Sequence, residues 1–228
     1  MVTKKGSSAG GSDAPTRGKD TAQRILDVAE RLVQHRGFNA FSYADIAEEL
    51  GITKASVHHH FAGKAELGEA LISRYASTFA ASLAAIDDEV PGAPAKLRAY
   101  TCLYADVLRH RRMCLCGMLA AEYQALPKAI CDAIIVFFED NETWLKGVLQ
   151  QGRAERTLSF QGAPKEMARV LVSGLEGAML VARPYDDVDR FQATTTRMVR
   201  NLVGTNGRRR SHERRETMQH DPDVGVRE

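Results

Sequence analysis

Hydrophobic positions recur at helical spacing along most of the chain. Ile25, Val28, Ala29, Leu32 and Val33 fall at i, i+3, i+4, i+7 and i+8, which predicts an amphipathic helix. Between Ser42 and Phe61 the pattern tightens. Ile46, Leu50, Ile52, Val57 and Phe61 form one inward set across two short segments, with Ser42 and Thr53 placed as N-caps and Asp45 three residues after Ser42. Ala47 offers a small side chain where two crossing helices approach most closely. Gly51, four residues later, suits the left-handed residue that ends the first of them. This is the spacing of a helix-turn-helix, although a two-helix hairpin in any helical protein can share it.

Downstream, Leu67, Leu71, Tyr75, Phe79 and Leu83 predict a long helix from Lys64 to about Ile86. A break follows at Val90 to Pro94. Further helices are predicted over residues 95–110, 113–125, 128–151, 165–183 and 187–203, separated by Pro127, Gly152, Gly162 to Pro164, and Pro184. No β-hairpin signal, internal repeat or glycine-rich phosphate loop interrupts them. The expected fold is all-α: an N-terminal three-helix helix-turn-helix DNA-binding domain over residues 20–63, and a larger C-terminal helical domain over residues 64–204. Residues 1–19 and 205–228 are expected to be disordered tails.

Composition adds bounds. A chain of 228 residues with 44% hydrophobic content can build a proper core. No uninterrupted apolar run approaches the ~18 residues of a membrane span, and the N-terminus lacks the apolar centre of a signal peptide, so a cytoplasmic protein without membrane contact is expected. The net charge is only +2, and from Asp20 to Glu66 five Lys/Arg stand against seven Asp/Glu. For a DNA reader that is awkward. The acids must face away from DNA, or Lys4, Lys5, Arg17 and Lys19 in the N-terminal tail must reach a neighbouring groove. The Gly/Ser-rich composition of that tail favours a solvated segment instead, and the arginines of the C-terminal tail, set among acids and polar residues, also read as a solvated extension.

The outward face of the second short helix carries Lys54, Ser56, His58 and His59, with Lys64 just beyond, side chains of a reach suited to base edges and phosphates. The run RILDVAERLVQHRGFNAFSYADIAEELGITKASVHHHFAGKAEL closely resembles the DNA-binding domain of the TetR/AcrR family of bacterial transcriptional repressors. The match spans Thr21 to Leu71 and includes the Gly37-Phe38 break, His59-His60-Phe61, and Gly63-Lys64. One departure is His58, where members commonly carry Tyr. The resemblance implies base-edge contacts from Lys54, Ser56, His58 and Tyr43, and phosphate contacts from Ser42, Thr53, His59, His60 and Lys64. The rest of the chain matches only in length and helical rhythm.

The resemblance further implies a pocket for a small-molecule inducer that weakens DNA binding. Tyr100, Tyr104, Met113, Met118, Glu122, Tyr123, Phe137, Trp144 and Met179 are its candidates, and an ordinary helical core is the competing account of each. It also implies a homodimer joined through the last two helices. Val170, Gly174, Gly177 and Val181 offer a smooth stripe on one, and Phe191, Met198 and Leu202 line the next. A two-fold dimer would present two reading helices to double-stranded DNA with a palindromic operator.

Four cysteines are few enough, in a cytosolic chain, to be buried hydrophobes, and that is the expectation for Cys102 and Cys131. Cys114 and Cys116 follow Arg109, His110, Arg111 and Arg112, and nearby cations can hold a sulfur as thiolate, which makes this pair a redox- or electrophile-sensing candidate, Cys116 ahead of Cys114. A metal is not expected: two residues apart on a helix, the sulfurs point roughly 200 degrees apart. No cofactor is expected. Enzyme chemistry would have to use His58, His59 and His60, which fan around a helix instead of converging. The alternative to a ligand-responsive regulator is a DNA-architectural or partner-binding module without a ligand.

Overall fold

The computed structural model describes residues 14–204. Among the described residues nine α-helices follow one another: α1 (Ala14–Arg36), α2 (Tyr43–Leu50), α3 (Lys54–His60), α4 (Lys64–Glu89), α5 (Ala93–Arg109), α6 (Leu115–Ala121), α7 (Lys128–Ala154), α8 (Pro164–Ala182) and α9 (Val188–Leu202). Single 3-10 turns, Tyr123–Ala125 and Arg183–Tyr185, join α6 to α7 and α8 to α9. Among the described residues the only extended pairing is an isolated bridge between Leu158 and Val203. The chain is all-α, as its periodicity predicts.

Local chemistry sets the short elements. The Ser42 hydroxyl accepts from the Ala44 N–H while the Asp45 carboxylate accepts the Ser42 N–H at 2.7 Å, closing a capping box on α2. Gly51 ends that helix at φ 64, ψ 34, and the Ile52 N–H returns to the Ala47 carbonyl at 3.0 Å. Thr53 caps α3 through the Ser56 N–H at 3.1 Å. Such caps matter because helices of seven and eight residues are too short to persist alone. Their stability comes from Ile46, Ala47, Val57 and Phe61, buried against α1 residues Ile25, Ala29 and Val33. Leu50 and Ile52, expected inside with them, are only half-buried at the rim.

The C-terminal domain is a bundle in which α8 packs along α7 and α9, and α5 is held between α7 and α9. Several boundaries differ from expectation. The first helix is helical in its backbone from Ala14, inside the stretch expected to be a disordered tail; the rest of that expectation falls on residues 1–13 and 205–228, outside the described residues. Gly152 is not a breaker. It lies within α7, where a Cβ would come within 2.4 Å of Leu158 and 2.7 Å of Ala93, so glycine permits a close approach there. The segment expected as one helix from Met113 to Ala125 starts later and is divided, because Arg111 takes a left-handed turn at φ 58 and Cys114 becomes the N-cap of a short α6. No described helix is long and apolar enough to cross a membrane.

Candidate nucleic-acid interface and its couplings

Helix α3 is anchored by a single side chain. Val57 is fully buried, whereas Lys54, His58 and His59 are exposed and Ser56 and His60 half-exposed, so one face is locked while the other is free. Ser42 and Thr53 stand exposed at the starts of α2 and α3, their hydroxyls already engaged in capping. Tyr43 is different. Only 4% exposed, it cannot reach a base edge from this position: its ring lies 4.7 Å from that of His58 and its hydroxyl is buried without a partner. Burial, aided by the negative charge of Glu66, pushes its pKa up to about 12. His58, itself exposed, packs against the Tyr43 ring with Nδ1 3.2 Å from the Ala62 carbonyl, so a His–Tyr contact occupies the position where the resembling sequences carry Tyr.

Lys64, expected at a phosphate, is committed elsewhere. Its Nζ donates to the carbonyls of Phe38 and Phe41 at 2.5 and 2.6 Å and lies over both rings, 4.9 and 4.1 Å from their centroids. Desolvation lowers its pKa, opposed by the charges of Glu122 and Asp45. Glu122, expected in a ligand pocket, holds the same loop from the other domain. Its carboxylate accepts the N–H groups of Phe38 and Asn39 at 2.7 and 2.9 Å, and the Asn39 side-chain amide at 2.5 Å. A Cβ on Gly37 would stand 2.2 Å from Glu122 Oε1, and its φ of 94 excludes other residues independently. Two further links cross this seam: the Met113 N–H donates to the Gln34 carbonyl at 3.3 Å, and Arg183 donates to the His35 carbonyl and toward Met118 Sδ. The side chains of Met118 and Glu122, and the backbone of Met113, are thus engaged at the joint between the domains.

The remaining pocket candidates divide again. Tyr100, Tyr104, Phe137 and Trp144 do converge: Trp144 stacks on Tyr100 at 5.5 Å, the Tyr100 hydroxyl meets those of Tyr104 at 3.1 Å and the Asn141 carbonyl oxygen at 3.0 Å, and Phe79 bridges to Phe137 at 5.3 Å. Met179 is buried in α8, and Tyr123 is exposed at the surface. Beside the aromatic cluster lies a group that periodicity does not single out. Glu176, on α8, places Oε2 where a Cβ on Gly117 would be 2.3 Å away, and its Oε1 is buried with no partner. Burial pushes its pKa up to about 7, against a lowering hydrogen bond from Cys114. The available signal was a lone acid inside the apolar run VLVSGLEGAMLVA.

This acid reverses the expectation for the thiols. Cys114 and Cys116 are 1% and 0% exposed. Burial, followed by the Glu176 charge, pushes both thiols well above their ordinary range, the opposite of an activated thiolate. Two of the arginines that suggested activation are engaged elsewhere: Arg111 makes a two-pronged pair with Asp186 at 2.6 and 3.2 Å, and Arg109 pairs with Asp106. Cys131 is buried as expected, and Cys102 is exposed, contrary to expectation. Among the described residues no group of His, Cys, Asp and Glu could hold a metal ion.

On the presumed dimer helices the structure separates two roles. Val170, Leu180 and Val181 of α8 are 57, 63 and 55% exposed, and nothing lies within 4 Å of a Cβ on Gly177. Phe191 and Leu202 of α9, expected on the same surface, are buried inside the protomer. Gly174 is filled from within, since the Met198 methyl would lie 2.4 Å from its Cβ.

Comparison with known proteins agrees with this architecture. Residues 25–71 match the family described as bacterial regulatory proteins, tetR family, and residues 93–198 match the tetracyclin repressor-like C-terminal domain. The chain is 30% identical to the transcriptional regulator AcuR of Cereibacter sphaeroides over 79% of its own length and 84% of that protein's. It is 24% identical to the transcriptional repressor NemR of Escherichia coli over 82% and 95% of the two chains. Its structure is similar to that of a TetR-family regulator from Agrobacterium tumefaciens, with a TM-score of 0.80 and 32% identity over 82% of this chain and all of that one. A TetR regulator from Legionella pneumophila gives a TM-score of 0.73 at 34% identity, covering 80% and 97%.

Proposed function

Since the chain belongs to the TetR family of DNA-binding transcriptional regulators, we propose that it acts as a homodimeric repressor of a palindromic operator, released by a small-molecule inducer held in its C-terminal domain. The observation that carries the DNA-reading half is the asymmetry of α3: Val57 is buried at its centre, while Lys54, Ser56 and His59 stand on the outer face. A helix pinned on one side and polar on the other enters the major groove with base-reading side chains forward. Lys54 and Ser56 are assigned to base edges; Ser42, Thr53, His59 and His60 to phosphates. Lys64 and Tyr43 support α3 from behind. The Escherichia coli relative is a repressor, and repression is the direction assigned here.

Dimerisation is assigned to the exposed α8 stripe of Val170, Gly177, Leu180 and Val181, a contiguous apolar face that a soluble monomer has no reason to keep. The inducer site is assigned to the aromatic cluster of Tyr100, Tyr104, Phe137 and Trp144, whose hydroxyls and Asn141 supply the few polar groups that orient a largely apolar ligand. An inducer that moves α6 would pull Glu122, at the end of that helix, against the Phe38 and Asn39 backbone and so tilt the reading helices. The inducer must bind the DNA-incompetent conformer more tightly than the competent one; that difference is the whole of its effect.

The test is operator selection followed by titration. Sites enriched from random duplexes should be two-fold symmetric, and Lys54→Ala should lose about 1–3 kcal/mol on the selected site with little change on random DNA. A Lys54→Ala protein that keeps both affinity and preference would remove α3 as the reader.

A further inference from the structure

At the joint between the domains an open groove of about 530 Å³ runs between the end of α1, the end of α5 and the turn from α8 to α9. His35 contributes one wall, from the DNA-binding side; Arg111, Arg183, Asp186 and Asp187 contribute the other. Its volume lies within the range of small-ligand sites.

Two arginines and two aspartates line this groove, but both aspartates are already engaged. Asp186 is taken up by Arg111, and Asp187 caps α9 through the Arg190 N–H at 2.9 Å and lies 3.8 Å from the Arg190 guanidinium. Among the described residues no carboxylate pairs with Arg183, which spends two donors on the His35 carbonyl and Met118 Sδ and keeps the rest of its five. Burial, followed by the positive charges of Arg112, Arg31, Arg183 and Arg36, lowers the pKa of the His35 imidazole. A second feature coincides. Arg111 and Asp186, the pair that closes one side of the groove, are both non-glycine residues in the left-handed region, at φ 58 and φ 50. Backbone held in this way, by a two-pronged ion pair, is characteristic of ligand clamps.

We infer that this groove binds a small oxyanion, the phosphate or carboxylate group of a small molecule, between the Arg183 guanidinium and the His35 imidazole, with the Arg111–Asp186 pair as its rim. The site is separate from the aromatic cluster assigned to the inducer. Arg183 supplies N–H donors in a plane that matches an oxyanion, and His35 joins as a second donor once the anion offsets the surrounding arginines. Because His35 lies at the end of α1 and Arg183 beyond α8, one bound anion ties the DNA-binding domain to the effector domain.

The experiment follows the His35 ring by NMR across pH in the full chain, with inorganic phosphate, with acetate, and with sodium chloride at equal ionic strength. The expected result is a saturable shift and a rise of the His35 midpoint by at least about one pH unit with phosphate, acetate or both, and neither with chloride. The two probes separate a phosphate from a carboxylate ligand. Arg183→Gln should abolish saturation and Arg183→Lys should retain a weakened form of it. Asp186→Asn, which keeps a residue that tolerates the left-handed turn but removes the charge that holds the rim to Arg111, should raise the half-saturating concentration several-fold. A response that tracks ionic strength alike in all three salts, that persists in Arg183→Gln, or that is unmoved by Asp186→Asn overturns the assignment.

Discussion

Glu122 and Lys64 grip the backbone of Phe38 from its two sides: the carboxylate accepts the N–H at 2.7 Å and the ammonium donates to the carbonyl at 2.5 Å. One residue belongs to the C-terminal domain and the other begins α4, so the loop between α1 and α2 is fixed by both. Glu122→Ala leaves the Phe38 and Asn39 N–H groups without their acceptor and should cost about 1–3 kcal/mol of stability in denaturant unfolding. Gly37→Ala should cost at least as much, since it adds a left-handed strain to a clash with the same carboxylate.

Lys64→Met should destabilise the DNA-binding domain and not merely weaken DNA affinity. Its ammonium satisfies two carbonyls in a half-buried place, so a methionine that keeps the stem but lacks the donors leaves both unpaired. Thermal unfolding without DNA checks this. A variant as stable as the parent would return Lys64 to the phosphate-contact role.

Glu176 should make stability fall as pH rises toward and above neutrality. Its folded pKa of about 7 lies above the ordinary 4.5, so its contribution is fully present below about 4.5 and is lost as pH climbs through about 7. The full swing is on the order of 3 kcal/mol for such a shift. Glu176→Gln should therefore match the parent near pH 5 and exceed it at pH 8, and the difference between the two proteins in denaturant midpoints at these two pH values isolates this residue from every other carboxylate.

The cysteines should react in the order of their exposure. Cys102 is open to solvent, whereas Cys114 and Cys116 are buried and held as thiols by desolvation and the Glu176 charge. Mass mapping after brief alkylation of the native protein should find Cys102 modified first, and Cys114 and Cys116 only on unfolding. Early labelling of Cys116 would reinstate it as a sensing thiol.

Leu180→Glu should disrupt assembly without unfolding the protomer, since Leu180 is 63% exposed and supports no internal packing that a charge would break. Light scattering should report a monomer where the parent gives the proposed dimer, with helix content retained by circular dichroism. Gly177→Arg, on the same open face, should do the same.

What the sequence by itself determined was the order of the helices and the identity of the reading unit. Capping residues, Gly51, and the buried set of Ile46, Val57 and Phe61 act over a few positions, so local spacing contains them. That legibility ends where an outcome depends on partners distant along the chain. Tyr43 and Lys64 match their family's pattern, yet packing on His58 and the carbonyls of Phe38 and Phe41 turn both inward. Glu122 carries nothing in its own surroundings to point at a loop 84 positions earlier. Whether Cys114 sits beside arginine or beside Glu176 is decided by how α6 meets α8, and the left-handed turn at Arg111 directs its charge to Asp186 instead. Phe191 and Val181 have similar apolar character, and only the packed bundle separates the one that fills the protomer from the one that remains open. Periodicity specifies that a helix has an apolar face; the direction in which neighbouring helices cover it is a property of the whole fold.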